Sequence, residues 1–422
     1  MELLEEYYAN KNAILRRQMA DETKPNNKVA NPYASYISDT LVGYFMGEPV
    51  RYTCDDDALL EDLQMILEYN DEADENSELA KDASIVGIAF EELYVDEADK
   101  MIRFKRLDPK SVIPIYDKTI QENMIACIRY YKDFDYTNDT TYTIIEVLDD
   151  TMVRTYRSGD VISSLELLDE HPHYFGMVPI AVYENNEDLT GDFEKVIPLI
   201  DAYDKMESDS MNDFEYFVDA YLALYGFTAD SEDIVKMKQN RVLLMDEGTK
   251  AEWLIKNEND SLTENMKNRL DKDIHKFAKC PNMSDEEFAG NASGIAIKFK
   301  MLGTENLVSI KERKFKKGLQ QRLELISMIT GVLSAGFDWR SIDITFTRNI
   351  PTNDLETAQM LNLYKDLVSD DTLLAQIPFV EDVLAEIDRV KEQKEENKLN
   401  NPFFQNQDYK MKDEDQEEEE NG

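Results

Sequence analysis

Cysteine, histidine and tryptophan are scarce in this 422-residue chain, at three, three and two copies. The cysteines, Cys54, Cys127 and Cys280, lie far apart and form no CxxC or other ligand spacing. They read as free thiols, which sets aside a disulfide scaffold and a structural zinc site. Two of the histidines stand together as His171-Pro172-His173. The proline between them disfavours a helical ligand pair, and no HExxH spacing occurs, so the pair reads as structural or surface. No apolar run is long enough to span a bilayer, and MELLEEYY lacks the basic start of a secretory signal. The expectation is a soluble protein, with no membrane partner, that is not exported by the usual route. A GxxxxGK[ST] phosphate loop is also missing, so any ATP-driven step belongs to another protein. Ser208 and Ser210 have acids nearby but no histidine at a readable spacing. No catalytic constellation emerges, and neither an enzyme nor a cofactor is expected.

Basic residues are few as well. Forty-six Lys and Arg against 88 Asp and Glu give a net charge of −42. Part of that sits in the terminal MKDEDQEEEENG, which reads as a solvated, disordered end. A protein that grips DNA by neutralising phosphates needs the opposite sign. Two readings survive: the chain never meets nucleic acid, or it lets DNA pass without holding it. The clusters Asp55-Asp56-Asp57 and Asp285-Glu286-Glu287 offer hard oxygen ligands, but neither has the glycine and terminal glutamate of a calcium loop. The first reads as a solvated face; for the second, in a polar loop, a solvated surface and a lumen-facing one stay equally open.

What is present supports folded cores. Apolar residues make up 42% of the chain, with 22 tyrosines and 18 phenylalanines, and the length exceeds what one core usually supports. Residues 1–20 read as an amphipathic helical start, and a second helix around Tyr33 to Phe45 stops at Gly47-Glu48-Pro49. An acidic helical stretch covers 55–82. From Ala83 to Asp150 the period shifts toward two, with strands expected at 85–90, 93–95, 102–104, 112–115 and 143–147. Ser158-Gly159-Asp160 and Asn185-Asn186 mark turns. This is an α+β lobe.

A helical spine follows. Ile200, Tyr203, Met206, Phe214, Phe217, Tyr221 and Leu224 mark a long helix ending at Gly226, with Pro198 early in it. RVLLMDEGTKAEWLI (241–255) reads as two short strands around Asp246-Glu247-Gly248. Ser261-Leu262-Thr263-Glu264 is a capping box opening the next helix. Pro281 closes that helix, and the polar loop CPNMSDEEFAGNASG leads into a very long one. There Ile297, Met301, Val308, Phe315, Leu319, Leu323, Ile326 and Thr330 follow three-, four- and seven-residue steps. Gly303 and Gly318 lie inside it, where each costs about 1 kcal/mol relative to alanine, and a kink is expected there. Then Ile342 to Thr347 alternates as a strand, Asn353-Asp354 starts a helical region, and another helix runs from Pro378 to about Lys398.

A helix pair carrying a small β tip, then a loop and a very long helix, suits a protrusion more than a compact enzyme core. GDFEKVIPLIDAYDKMESDSMNDFE (191–215), PNMSDEEFAGNASGIAIKFKMLG (281–303) and KERKFKKGL (311–319) resemble the portal proteins of tailed double-stranded DNA bacteriophages, of the siphophage type found on Gram-positive hosts. PNNKVANPYASYISDTLVGYFMGEPVRY (25–52) and HPHYFGMVPIAVYENN (171–186) fit the same family. Its members usually carry more residues before this point, so the chain is read as starting late.

The resemblance implies an α+β wing (1–192), a stem helix (193–226), a clip (227–259), a second stem helix (260–280), a tunnel loop (281–292), a long helix with a return strand (293–350), a helical crown (351–400) and an acidic tail (401–422). It places Met283, Ser284, Asp285, Glu286, Glu287, Phe288, Ala289, Gly290 and Asn291 in the loop lining a DNA channel. Val242, Leu243, Leu244, Trp253 and Leu254 fall in the clip. It further implies a ring of about twelve copies at one capsid vertex, assembled in the host cytoplasm. DNA would pass without sequence specificity, and terminase, a head–tail adaptor, scaffold and major capsid proteins would be partners. The basic run Lys311, Arg313, Lys314, Lys316, Lys317 and Arg322 stands out in so acidic a chain. It reads either as a DNA stripe or, preferred here, as a surface pairing with acids of neighbouring subunits. The rivals are an acidic DNA-mimic binding module and a carboxylate-rich metal-dependent hydrolase.

Overall fold

The computed structural model describes residues 1–21, 24–158, 165–218, 221–225, 250–254, 260–283, 294–333, 337–349, 354–365 and 367–374, with scattered positions to 393. It divides into two units, Met1–Asn349 and Ile350–Gly422.

The first unit is built around helices packed on antiparallel sheets. Helices α1 (Glu2–Tyr8), α2 (Tyr33–Met46), α3 (Asp57–Tyr69) and α4 (Glu72–Val86) come first. Ile37, Leu41 and Phe45 of α2 recur every four residues and are buried, as are Leu79, Ala80 and Ala83 of α4, so the two helices pack face to face. Full burial of each such aliphatic or aromatic side chain stabilises by about 1.5–3 kcal/mol. Asp56 caps α3 by accepting from the backbone N–H groups of Ala58 and Leu59, so one member of the acidic triplet has a structural task.

Ile85 and Val86, expected in a strand, are the last residues of α4. Gly87 ends the helix in the left-handed region at φ +90°, its N–H bonded to Ala83 O. A Cβ there would sit 2.0 Å from Leu189 O, so the turn requires glycine twice over. Strand β2 (Ile88–Val95) then begins and pairs with both β3 (Ile102–Leu107) and β9 (Ile180–Glu184). A five-stranded antiparallel meander, β4 (Val112–Tyr116), β5 (Met124–Asp135), β6 (Thr140–Leu148), β7 (Met152–Ser158) and β8 (Leu165–Pro172), lies between β3 and β9 in the chain. Ile88, Phe90, Cys127, Leu148, Val178 and Ile180 join the two sheets in one apolar cluster. Three strands here carry no strand expectation from sequence: β5, β7 and β8. His171 and Pro172 close β8. Asn185 and Asn186 form the expected turn, with Asn186 Oδ1 accepting from the Thr190 N–H.

The spine follows. A 3₁₀ turn at Glu194–Val196 leads into α5 (Ile197–Val218), so Pro198 sits in the first turn, where it loses no helical hydrogen bond. The helix ends at 218, eight residues before the expected Gly226. Tyr221–Tyr225 instead forms β10, paired antiparallel with β11 (Lys250–Leu254). Helix α6 (Asp260–Ala278) packs on α5 and begins one residue before the expected cap Ser261. Helix α7 (Gly294–Leu333) has 40 residues, or about 60 Å of rise. Of its expected face, Met301, Val308, Phe315, Leu319, Leu323 and Ile326 are buried and Thr330 is half-buried, while the side chain of Ile297 lies outside the described residues. This face lies on β9, where a Cβ on Gly318 would come within 2.4 Å of the Tyr183 ring and 2.8 Å of Val182 O. Gly318 therefore lets helix and strand approach closely. Strand β12 (Asp343–Thr345) pairs with β1 (Arg51–Thr53), bringing residues some 290 positions apart (343 − 53) into one ladder. In the second unit, α8 (Asp354–Tyr364) and α9 (Asp370–Leu374) match the expected helical region. The helix expected from Pro378 to Lys398 falls largely outside the described residues.

Candidate functional site

The loop between α6 and α7 is held by a clasp at its base. Helix α6 ends in a Schellman motif: Cys280 N–H bonds to His275 O, Lys279 N–H to Lys276 O, and Lys279 takes φ 54°. Pro281 follows and prevents continuation of the helix. The side chain of His275, buried at the end of α6, donates from Nδ1 to Cys280 O at 3.2 Å. Its Nε2 lies 3.5 Å from Asp271 Oδ1. The rings of Tyr33 and Tyr36 meet the imidazole edge-on, at 6.0 and 5.4 Å.

Both tyrosines come from α2, far away in sequence. Tyr36 donates its hydroxyl to Pro281 O at 3.1 Å and accepts from the Met283 N–H at 2.9 Å. Tyr33 donates to Asp271 Oδ1 at 2.8 Å, and Asn282 Nδ2 donates to Asp271 Oδ2 at 3.2 Å. Burial, reinforced by the Asp271 hydrogen bond, pushes the Tyr33 phenol well up. Burial likewise raises the Cys280 thiol to about 12, so it stays protonated and unreactive near neutral pH. On the other side Thr304 Oγ1 of α7 donates to Lys279 O at 2.7 Å. The chain is thus fixed at Met283 and again at Thr304. Met283 is exposed at the upper edge of this base. Ser284, Asp285, Glu286, Glu287, Phe288, Ala289, Gly290 and Asn291 lie outside the described residues.

The basic run on α7 is split by burial. Arg322 is fully buried and forks onto Glu91, with Nε–Oε2 and Nη2–Oε1 both 2.7 Å, while Nη1 lies 3.3 Å from Glu72 Oε1. Tyr183 donates to Glu91 Oε2 at 2.9 Å, and the Phe104 ring lies 4.4 Å beneath the guanidinium. Burial alone would lower the Arg322 pKa, but the charge of Glu91 and its hydrogen bonds outweigh it and hold the group well above its usual value. Lys311 is also buried, paired with Asp192, which accepts from Ser84 Oγ at 2.6 Å. Lys314 reaches Glu184 at 2.8 Å and Glu187 at 2.5 Å, and Lys316 donates to Ile344 O at 3.0 Å. These four bind α7 to α4, β2, β9, β12 and the turn after β9. Arg313 and Lys317 are the exposed members.

Sequence reasoning singled out the cations but none of their carboxylate partners. Glu91 carried a usable signal, a charge inside the apolar strand IAFEELYV. His275 and Tyr36 carried none, because the clasp joins elements about 240 residues apart. Among the expected clip residues, Trp253 and Leu254 belong to β11, and Val242, Leu243 and Leu244 lie outside the described residues. His173 Nε2 donates to Asp149 O at 2.8 Å, a structural role. Among the described residues no group of three or more His, Cys, Asp or Glu could hold a metal ion, and no helix is long and apolar enough to cross a membrane.

The family model "Phage portal protein, SPP1 Gp6-like" matches residues 1–399. This chain belongs to that family of phage portal proteins. The portal protein of Clostridium phage phiCD119 is 25% identical over 405 residues, covering 89% of this chain and 88% of the relative. That of Bacillus phage SPP1 is 26% identical over 401 residues, covering 89% and 78%. A solved chain titled "Neck of empty GTA particle computed with C6 symmetry" superposes with a TM-score of 0.50 at 12% identity, over 82% of this chain and 90% of that one. At that identity the likeness speaks for the fold. The portal family is a structural one, and membership favours neither the DNA-mimic nor the hydrolase reading.

Proposed function

We propose that this portal protein closes into a ring of about twelve copies at one capsid vertex, and that the ring is the channel for DNA packaging and ejection. The carrying observation is the family match over 1–399. The order of elements supports it: paired helices with a β10–β11 tip, a clasped loop, and a 40-residue helix. On this reading residues 1–192 are the wing, 193–226 and 260–280 the stem, 227–259 the clip and 351–400 the crown. Residues 281–292 form the tunnel loop, with Met283 to Asn291 facing DNA. Terminase docks during packaging, a head–tail adaptor docks afterwards, and scaffold and major capsid proteins surround the ring, which assembles in the host cytoplasm.

Charge fits such a passage. A wall of acids with few exposed cations offers DNA no phosphate grip, and so little friction. The clasp is suited to its place, because a loop pressed by moving DNA transmits force to its base. There Tyr36, His275 and Asp271 tie it to α2 and α6. The test is direct: native mass spectrometry of the purified chain, with negative-stain images down the symmetry axis. Closed rings with a central hole support the reading. A chain that stays monomeric across salt and concentration overturns it.

A further inference from the structure

Helix α7 has an outer stripe that its own chain leaves open. Phe299, Leu302, Ile310, Arg313 and Lys317 follow one another at three- and four-residue steps or their multiples, so they share one face. Phe299 is 73% exposed, Leu302 53% and Ile310 42%. Gly303 lies beside them, and a Cβ added there would meet nothing within 4 Å. The stripe is apolar at its N-terminal end and basic at its C-terminal end. Arg313 Nε is engaged only locally, with Ser309 O at 3.1 Å, and Lys317 adds to the field that lowers the Glu187 pKa, after the hydrogen bond and charge of Lys314. Three large apolar side chains in solvent beside two outward cations are costly in a monomer and informative in an assembly.

The same chain carries a face of opposite sign. On α3 only Leu63 and Leu67 are buried. The opposite side exposes Glu61, Met65 and Glu68, again at helical spacing, with Asp62 and Tyr69 flanking them. Met65 is 56% exposed and Tyr69 41%. This second stripe alternates acid and apolar groups where the first has apolar groups and cations.

We propose that the α7 stripe of one subunit docks on the α3 face of the next, a head-to-tail contact of the kind that closes a ring. Glu61 and Glu68, about 10 Å apart along α3, meet Arg313 and Lys317, and Met65 between them packs toward Ile310. The proposal rests on the ring reading above. A heterologous contact of this form needs two different patches on each copy, and each copy of this chain offers both. With the other four cations of the run engaged inside the chain, Arg313 and Lys317 are the ones placed to offset repulsion between subunits that each carry −42.

Charge reversal tests the pairing in both directions. Arg313→Glu with Lys317→Glu, and separately Glu61→Lys with Glu68→Lys, remove no buried contact, so each variant remains folded by circular dichroism. Each is expected to raise the concentration at half-assembly by at least about tenfold, since several rim ion pairs turn from attraction to repulsion. A chain carrying all four changes is expected to recover rings. Reversed variants that assemble like the parent chain, or a fourfold variant that fails to recover, overturn the interface while leaving the ring intact as a reading. A parent chain that forms no ring overturns both.

Discussion

The two glycines inside α7 should respond to alanine with opposite signs. At Gly318 the new Cβ would lie 2.4 and 2.7 Å from two carbons of the Tyr183 ring and 2.8 Å from Val182 O. Carbon pairs prefer about 3.5–4.0 Å, so the clash exceeds 1 Å. The ring cannot swing away, because Tyr183 is fully buried and its hydroxyl is bonded to Glu91, itself forked by Arg322. The carbonyl is backbone of β9, so helix and strand must separate. Overpacking of this kind costs about 1–3 kcal/mol, and two rigid neighbours put Gly318 at the upper end. Alanine returns about 1 kcal/mol of helix propensity, for a net loss of about 2 kcal/mol. At Gly303 no atom lies within 4 Å of the added Cβ, so Gly303→Ala should gain about 0.5–1 kcal/mol. Urea unfolding of dilute, unassembled chain, followed by circular dichroism, reads both. Two shifts of the same sign, or a neutral Gly318→Ala, would refute the close-approach argument.

Other consequences concern buried charge. Arg322→Met should destabilise by about 3–5 kcal/mol, because it leaves Glu91 and Glu72 buried without their cation; adding Glu91→Gln should recover part of that loss in the same urea assay, and an additive double variant would contradict the pairing. Glu92 lines a cavity of about 810 Å³ beside Arg129 and Glu146, and burial, only partly offset by Arg129, raises its pKa from 4.5 to about 7. The folded state then holds a proton that the unfolded state has released, so stability falls as pH rises from about 4.5 to 7, by up to about 3 kcal/mol. Glu92→Gln should flatten that fall and be the more stable form at pH 8, since Arg129 keeps Glu146 at 2.9 Å; an unchanged pH profile would count against it.

Periodicity reached the long helix because one face of it is buried over seven turns or more, and a repeating apolar step survives local noise. It failed at 221–225. Tyr-Leu-Ala-Leu-Tyr is apolar at every position and fits a helix or a strand equally; pairing with 250–254 decides the matter, and that partner is invisible locally. Ile85 and Val86 misled for a related reason, being β-branched residues in the last turn before Gly87. Strand β8, LELLDEHP, is exposed along its whole length and so shows no alternation. At Gly318 the sequence shows a missing side chain but not the Tyr183 ring that fills its space. The basic run was legible as charge and not as partners: Arg322 and Glu91 are separated by 231 positions. Pro281 marked the end of the helix before it, whereas the clasp at that end required the fold.

The central question is whether the loop that starts from that clasp meets DNA. The decisive measurement places a photo-cross-linking side chain at Glu286 and, as a control, at Glu166 on the exposed strand β8, in particles stalled during packaging. Cross-links to DNA from Glu286 and none from Glu166 are the predicted result. Cross-links absent at Glu286, in particles that hold DNA across the vertex, would contradict a channel lined by this loop.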